Sequence, residues 1–378
     1  MISPKKNPFA FGLIAVLVVL HLVIGLGLLS GGGAGESGDE KSAAPVPAPV
    51  EKEPESVVEP LPVAPPRPAV PSGSGGLAPA APVKPASPVK KPVRAAAYYD
   101  GYYRVAPAAL PAKVQALTRH FRSGLVLDMD SNTILWSKDA DKVYPIASIT
   151  KLMTALMLVE KVESDPSLSL SGTRIRIARE DLAVTRKIRK VYLDQNEEYT
   201  LDEYLKCMMI ASANDCAYIV AKYLAGGDAS KFPAMMNARA REMGLKTMNF
   251  HNSHGLPIDG ANGRVENQGS ALEIAYLSQM AASKPAILKW AGTSRDCIRE
   301  NTNRFDLHST NRLLRDRVPG ITGLKTGYTS TSGYCIVVTC QREGRNIMVI
   351  VMGAMQSDTG KQRNAVAKAL LEWAYSVK

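Results

Sequence analysis

The chain has 378 residues, 46% of them hydrophobic, and a formal net charge of +11. That length and apolar content exclude a wholly disordered chain and leave room for one large domain or two ordinary ones. The charge points to an anionic neighbour, which is nucleic acid, lipid headgroups or an acidic polymer, and the N-terminus chooses among them.

Lys5 and Lys6 precede an apolar run over residues 9–29 that carries no Asp, Glu, Lys or Arg. As a helix it would span roughly 30 Å, the thickness of a bilayer core. A secretory signal peptide has a shorter apolar stretch and an A-x-A-like cleavage site. No clean site of that kind follows, although residues 30–35 are small. The expectation is a cytoplasmic segment (1–8), a single-pass membrane anchor (9–29) and everything after it on the outer side of the membrane. Cleavage after the apolar run, giving a secreted protein, is the alternative. Either location removes nucleic acid as a partner.

Residues 30–111 form the next unit. Between Pro45 and Pro92 lie 15 of the chain's 25 prolines, mixed with Ala, Val, Glu and Lys. Such a segment buries no core and reads as a disordered tether with a reach of roughly 150 Å if fully polyproline-like. Tyr98, Tyr99, Tyr102 and Tyr103 follow. Sugar stacking is one reading, and aromatic packing where the tether meets the folded part is the simpler one.

The folded domain is placed at 112–378. Residues 124–127 and 133–136 read as strands joined by a turn-rich link over 128–132. An apolar helix starts after Pro145 and runs to about Val162. Thr200 and Glu203 have capping-box spacing before an apolar stretch to Ile210. A break at 211–214 leads into a second helix that ends at Gly226-Gly227. Residues 230–243 make a helix closed by Gly244. Ser270 and Glu273 cap another, to about Ala282. Residues 336–339 and 346–352 are β-branched strands. Val366, Ala369, Leu370, Trp373 and Val377 share one face of a last helix. Early strands, a helical middle, late strands and a final helix define an α+β fold. Its centre is a mostly antiparallel sheet of about five strands built from both chain ends, with flanking helices and a helical subdomain.

The five cysteines, at 207, 216, 297, 335 and 340, show no C-x-x-C spacing and read as buried thiols. An odd count leaves at least one unpaired, and Cys207 with Cys216 is the pair to examine. His21, His120, His251, His254 and His308 form no ligand set, so no metal and no cofactor is expected.

Ser148 and Lys151 open the apolar helix at positions i and i+3, on one face. Free N–H groups at a helix start favour developing negative charge. A serine hydroxyl needs a base to become a nucleophile. A lysine serves only when its amine is neutral, and apolar surroundings with a second cation depress its pKa. Alone, this pair carries little weight, since a helix start with a surface lysine looks the same. Two further triplets add to it. Ser212-Ala213-Asn214 sits in the helix break. Lys325-Thr326-Gly327 precedes a strand-like run, where lysine and threonine suit a carboxylate and glycine allows close approach. The first residues of the three motifs are 64 and then 113 apart.

Together, in this order, they match the signature of penicillin-binding proteins and serine β-lactamases. Residues 112–378 resemble the D-alanyl-D-alanine carboxypeptidases among the low-molecular-mass penicillin-binding proteins. The resemblance extends to residues 249–257 (NFHNSHGLP), to Asn311-Arg312-Leu313-Leu314 and to Gly333-Tyr334-Cys335. It implies a β-lactamase/transpeptidase-like fold. It also implies Ser148 as the acylated nucleophile, Lys151 as its base and Ser212 as a proton relay. Asn214 would hold the substrate amide, and Lys325 with Thr326 the terminal carboxylate. Gly327 would let the substrate approach the strand, and the N–H groups of Ser148 and Tyr328 would form the oxyanion hole. The implied substrate is a peptidoglycan stem peptide ending in D-Ala-D-Ala, with β-lactams as inhibitors. Endopeptidase cleavage of cross-links uses the same residues. A β-lactamase is a further alternative, but Glu242, Glu266 and Glu273 lack the Asn four residues on that class A enzymes carry. A wall-binding scaffold would have no use for Lys151.

Three departures from the family pattern stand out. Many relatives carry a C-terminal β-rich domain and anchoring helix, whereas here the sequence ends with the last helix. Asn196 stands where relatives usually have glycine, and asparagine tolerates the same backbone. Arg186-Lys187-Ile188-Arg189-Lys190 is basic where relatives are small and polar. It is a solvated surface or an attractor of acidic polymer.

Overall fold

The computed structural model describes residues 102–354 and 360–377, apart from 189, 261 and 262. The expected anchor and most of the expected tether lie outside the described residues. Among those described, no helix is long and apolar enough to cross a membrane.

Six strands build the central sheet. They are β1 Arg104–Val105, β2 Ser123–Asp128, β3 Thr133–Lys138, β4 Ile321–Thr329, β5 Gly333–Arg342 and β6 Arg345–Ala354. Their order is β1-β3-β2-β6-β5-β4. Five of them pair antiparallel, with Val126 of β2 opposite Val349 of β6, so the two chain ends meet at the centre as expected. The sixth, β1, is a short parallel edge on β3 and comes from residues assigned to the tether. Its anchor is aromatic packing: Tyr102 meets Tyr103 and Tyr276 edge-on, and the Tyr103 hydroxyl donates to Gln279 Oε1 at 2.7 Å. The described fold therefore begins ahead of residue 112.

The period-two alternation of the strands gives the sheet two apolar faces. Leu125, Leu127, Val337, Met348 and Ile350 point to the helical side. Val126, Ile336, Val338, Ile347 and Val349 point to the other side, where Val366, Leu370 and Trp373 cover them.

The helices that matter for the site are α1 Lys151–Ser164, α2 Leu201–Ile210, α3 Asn214–Leu224, α4 Phe232–Glu242, α5 Ala271–Ala282 and α6 Lys361–Ser376. The capping box of α2 is complete: Thr200 Oγ1 accepts from Glu203 N, and Glu203 accepts from Thr200 N. At α5 only half of that motif forms. Ser270 caps the helix, but the fully buried Glu273 carboxylate accepts instead from the backbone N–H groups of Lys246, Thr247 and Met248. Three main-chain donors in a buried setting outcompete one helix N-terminus. Gly244 closes α4 at φ 76, and Asn196 adopts φ 66, the backbone anticipated for it. All five cysteines are free, and Cys207 and Cys216 are both buried.

Candidate active site

Ser148 lies in a 3-10 turn, Ala147–Thr150, that feeds directly into α1. Leu152, Met153, Leu156 and Leu158 of α1 are fully buried, so the helix cannot slide or rotate without opening the core. That packing fixes its first residue, Lys151, whose side chain is also fully buried. Ser148 is only half-buried and faces a cleft of about 430 Å³. Ala147, just before Ser148, holds φ 45, a left-handed conformation that costs an alanine about 1–3 kcal/mol.

Two glycines let neighbouring chain close on this turn. At Gly255 (φ 85), a Cβ would stand 2.0 Å from the Ala147 carbonyl oxygen. At Gly327 of β4, it would stand 3.0 Å from Ser148 N and from the Ile146 carbonyl oxygen. The first contact brings the His254 carbonyl onto the lysine. The second lays the Lys-Thr-Gly strand along Ser148.

Lys151 Nζ donates to three acceptors: Ser148 Oγ at 2.9 Å, Asn214 Oδ1 at 2.7 Å and the His254 carbonyl at 2.6 Å. An ammonium fills all three. A neutral amine keeps two N–H bonds and one lone pair. The amide oxygen and the main-chain carbonyl can only accept, so only the serine contact is able to reverse. The neutral lysine thus turns its lone pair toward the Ser148 hydroxyl. Burial pushes the Lys151 pKa well below its ordinary value, and Lys325 adds to the shift. The His254 imidazole is pushed down to about 3 by burial and by Lys151, so it stays neutral.

Ser212 occupies the break between α2 and α3 at φ 59, which turns its hydroxyl out of the helical path. Lys325 Nζ donates to Ser212 Oγ at 2.8 Å and to the Thr326 carbonyl at 3.0 Å. Its pKa is pushed down to about 7, first by burial and then by Arg363 and Lys190. Thr326 Oγ1 donates to Thr310 Oγ1 at 2.7 Å. Arg363, on α6, is buried at 6% exposure, bonds to Asn364 Oδ1 and the Cys335 carbonyl, and lines the same cleft. Tyr328 is half-exposed at the mouth and stacks on Tyr334 with ring centroids 4.3 Å apart.

The structure gathers every residue singled out from the sequence. Ser148, Ser212, Asn214, Thr326, Gly327 and Tyr328 line one cleft. Lys151 and Lys325 lie beneath it, each bonded to a serine. Three contributors were missed: the His254 carbonyl, Thr310 and Arg363. The first is a main-chain atom and has no side-chain signature; Gly255 next to it is the residue type that could have pointed to a close approach. Thr310 precedes the noted Asn311 segment. Arg363 sits on a helix read only for its apolar face. The basic segment divides: Arg186 and Lys187 are exposed, while Lys190 reaches the cleft. The three glutamates weighed as deacylation bases all have partners. Glu242 pairs with Arg239, Glu266 accepts from Thr329 Oγ1, and Glu273 is buried on its main-chain donors. Among the described residues, no group of three or more His, Cys, Asp or Glu is placed to hold a metal ion.

Comparison with known proteins supplies the family. The D-alanyl-D-alanine carboxypeptidase family model matches residues 111–356. D-alanyl-D-alanine carboxypeptidase DacF of Bacillus subtilis is 31% identical over 265 residues, which are 70% of this chain and 64% of that protein. A D-alanyl-D-alanine endopeptidase of Haemophilus influenzae is 29% identical over 253 residues, 66% of this chain and 80% of that one. Among solved structures, ampicillin-bound penicillin-binding protein D2 of Listeria monocytogenes is similar, with a TM-score of 0.57 and 28% identity. The match covers 68% of this chain and 98% of that one.

Proposed function

This chain belongs to the D-alanyl-D-alanine carboxypeptidase family, and we propose that it removes the terminal D-alanine from peptidoglycan stem peptides through an acyl-enzyme on Ser148. The observation that carries this reading is the Ser148–Lys151 contact of 2.9 Å around a buried lysine with a depressed pKa.

Lys151, neutral, takes the Ser148 proton as Oγ attacks the carbonyl carbon of the last peptide bond. The oxyanion is held by the N–H groups of Ser148 and Tyr328, a contribution of about 3 kcal/mol of barrier per donor. Ser212, oriented by Lys325, relays that proton from Lys151 to the leaving nitrogen as the C–N bond breaks, which returns Lys151 to its neutral form. Asn214 holds the substrate amide. The terminal carboxylate sits on Lys325 and Thr326, with Arg363 behind them. Water then hydrolyses the Ser148 ester, and the proton it gives up returns through Lys151. β-Lactams present the same carbonyl and acylate Ser148 as stable mimics. The anchor at 9–29 and the tether belong to this reading: they hold the domain on the outer face of a bacterial membrane, within reach of the wall.

A fluorescent penicillin is expected to label the wild-type chain and not Ser148→Ala. Persistence of the label in that variant would remove Ser148 from the mechanism. Release of D-alanine from diacetyl-L-lysyl-D-alanyl-D-alanine tests the substrate. Endopeptidase action on cross-links is the second reading, consistent with the similarity to the Haemophilus influenzae endopeptidase. Product analysis on purified peptidoglycan separates the two.

A further inference from the structure

The cleft carries more positive charge than one terminal carboxylate requires. Lys190, Arg312, Arg315 and Arg363 all line it, and its lining contains no Asp or Glu among the described residues. Lys325 lies directly beneath. Arg363 and Lys325 are buried and suffice for the terminal carboxylate. Lys190, Arg312 and Arg315 remain.

These three are held in position by their backbones, with no described carboxylate to neutralise them. Asp215 Oδ2 accepts from Lys190 N at 2.8 Å, which ties this residue to the start of α3, while its side chain is exposed. Arg312 and Arg315 belong to a single turn, Arg312–Arg315, capped by Asn311. Asn311 Nδ2 donates to the Gly323 carbonyl of β4, and Thr310 bonds to Thr326. The turn is therefore pinned beside the Lys-Thr-Gly platform. Elsewhere, partly buried arginines such as Arg299, Arg342 and Arg345 each have a carboxylate partner. Placing like charges around one opening without a counter-charge is unfavourable unless something anionic enters. Burial is the largest cause of the lowered pKa values of Lys325 and Arg363; Lys190 adds to the first and Arg312 to the second, so both sit close enough to act on the platform.

We infer that Lys190, Arg312 and Arg315 form a second anion-binding subsite on the leaving-group side of the scissile bond, fitted to a leaving residue that carries its own side-chain carboxylate. D-Alanine, with a methyl group there, makes no use of such a subsite. A longer acidic residue, such as the leaving stem of a cross-link presents, does. The inference rests on the DD-peptidase reading, because that reading decides which end of the substrate lies on Lys325.

The test uses two peptides of one shape and different charge: diacetyl-L-lysyl-D-alanyl-D-2-aminoadipate and its side-chain amide. At low ionic strength kcat/KM is expected to favour the acid about tenfold, or about 1.4 kcal/mol. The ratio should fall toward one in Lys190→Gln/Arg312→Gln/Arg315→Gln, and toward one in the wild type at high salt. A wild-type ratio near one overturns the inference. So does a ratio that survives in the triple variant, or an equal salt-dependent loss on both peptides, which would mean general steering. Penicillin labelling reports whether the triple variant is folded. If it is not, Arg315→Gln alone should lower the ratio, and an unchanged ratio there counts against the subsite. Cleavage of diacetyl-L-lysyl-D-alanyl-D-alanine with a ratio of one sinks the subsite alone. No cleavage of any peptide and no penicillin label sinks the DD-peptidase reading and the subsite with it.

Discussion

Two sets of cations meet at the cleft and are built in opposite ways. Lys151 and Lys325 are at most 1% exposed, and burial is the largest cause of their lowered pKa values. Lys190 and Arg315 are exposed and face solvent across the cleft. The same formal charge therefore serves two purposes. Buried with no carboxylate bonded to it, a lysine gives up its proton more easily, and Lys151 is placed to use this toward Ser148. At the rim, a cation attracts anions from solvent.

The largest expected effect comes from breaking the buried set. Lys151→Arg retains the charge but cannot deprotonate, so Ser148 acylation should slow by about 10³. Lys151→Met, apolar and of similar length, should lose the rate equally. Stopped-flow acylation with a penicillin checks both, and a normal rate in either variant means that a neutral amine at this position is not what activates the serine.

Gly255→Ala sharpens the comparison by moving a support. The added methyl would meet the Ala147 carbonyl oxygen and push the His254 carbonyl away from Lys151. A loss of about 10² in kcat is expected from displacement near 1 Å, together with a drop in Tm. Unchanged kinetics would show that the lysine does not depend on that carbonyl.

Arg363→Gln tests the junction between the two sets. KM should rise about tenfold with kcat less affected, because a carboxylate partner is lost. The same variant has a pH signature. Lys325 binds the carboxylate only when protonated, so kcat/KM should fall as pH rises through about 7. Arg363 contributes to that depression, so its removal should move the falling limb to higher pH. A limb that stays in place would detach Lys325 from it.

The smallest effect belongs to the rim. Arg315→Gln alone should change kcat/KM a few-fold, and only for the acidic peptide.

The chemistry was legible because it is written in side chains at short, fixed spacings. Ser148 and Lys151 needed only one helical turn to meet. The capping box of Thr200 and Glu203 was equally local. What stayed hidden depends on long-range closure. Arg363 comes from the far face of the sheet, where Val366, Leu370 and Trp373 gave a clear apolar stripe and said nothing about one buried guanidinium. The His254 carbonyl is the same atom in every residue type. Glu273 read as half of a capping box because sequence shows the local partner, not the loop at 246–248 that wins it. The parallel strand β1 is too short to produce a pattern and is set by where Tyr103 docks.

The pairing of β2 with β6 has a consequence for the timing of synthesis. Arg345 Nη2 donates to Asp128 Oδ2 at 3.0 Å, across 217 residues of sequence. Strand β2 cannot find its central neighbour until the ribosome has made residues 345–354, and Arg363 arrives later still. Such non-local closure folds slowly. A nascent chain therefore carries Ser148 and Lys151 long before it holds the wall that completes their cleft. The nucleophile is synthesised early and armed last.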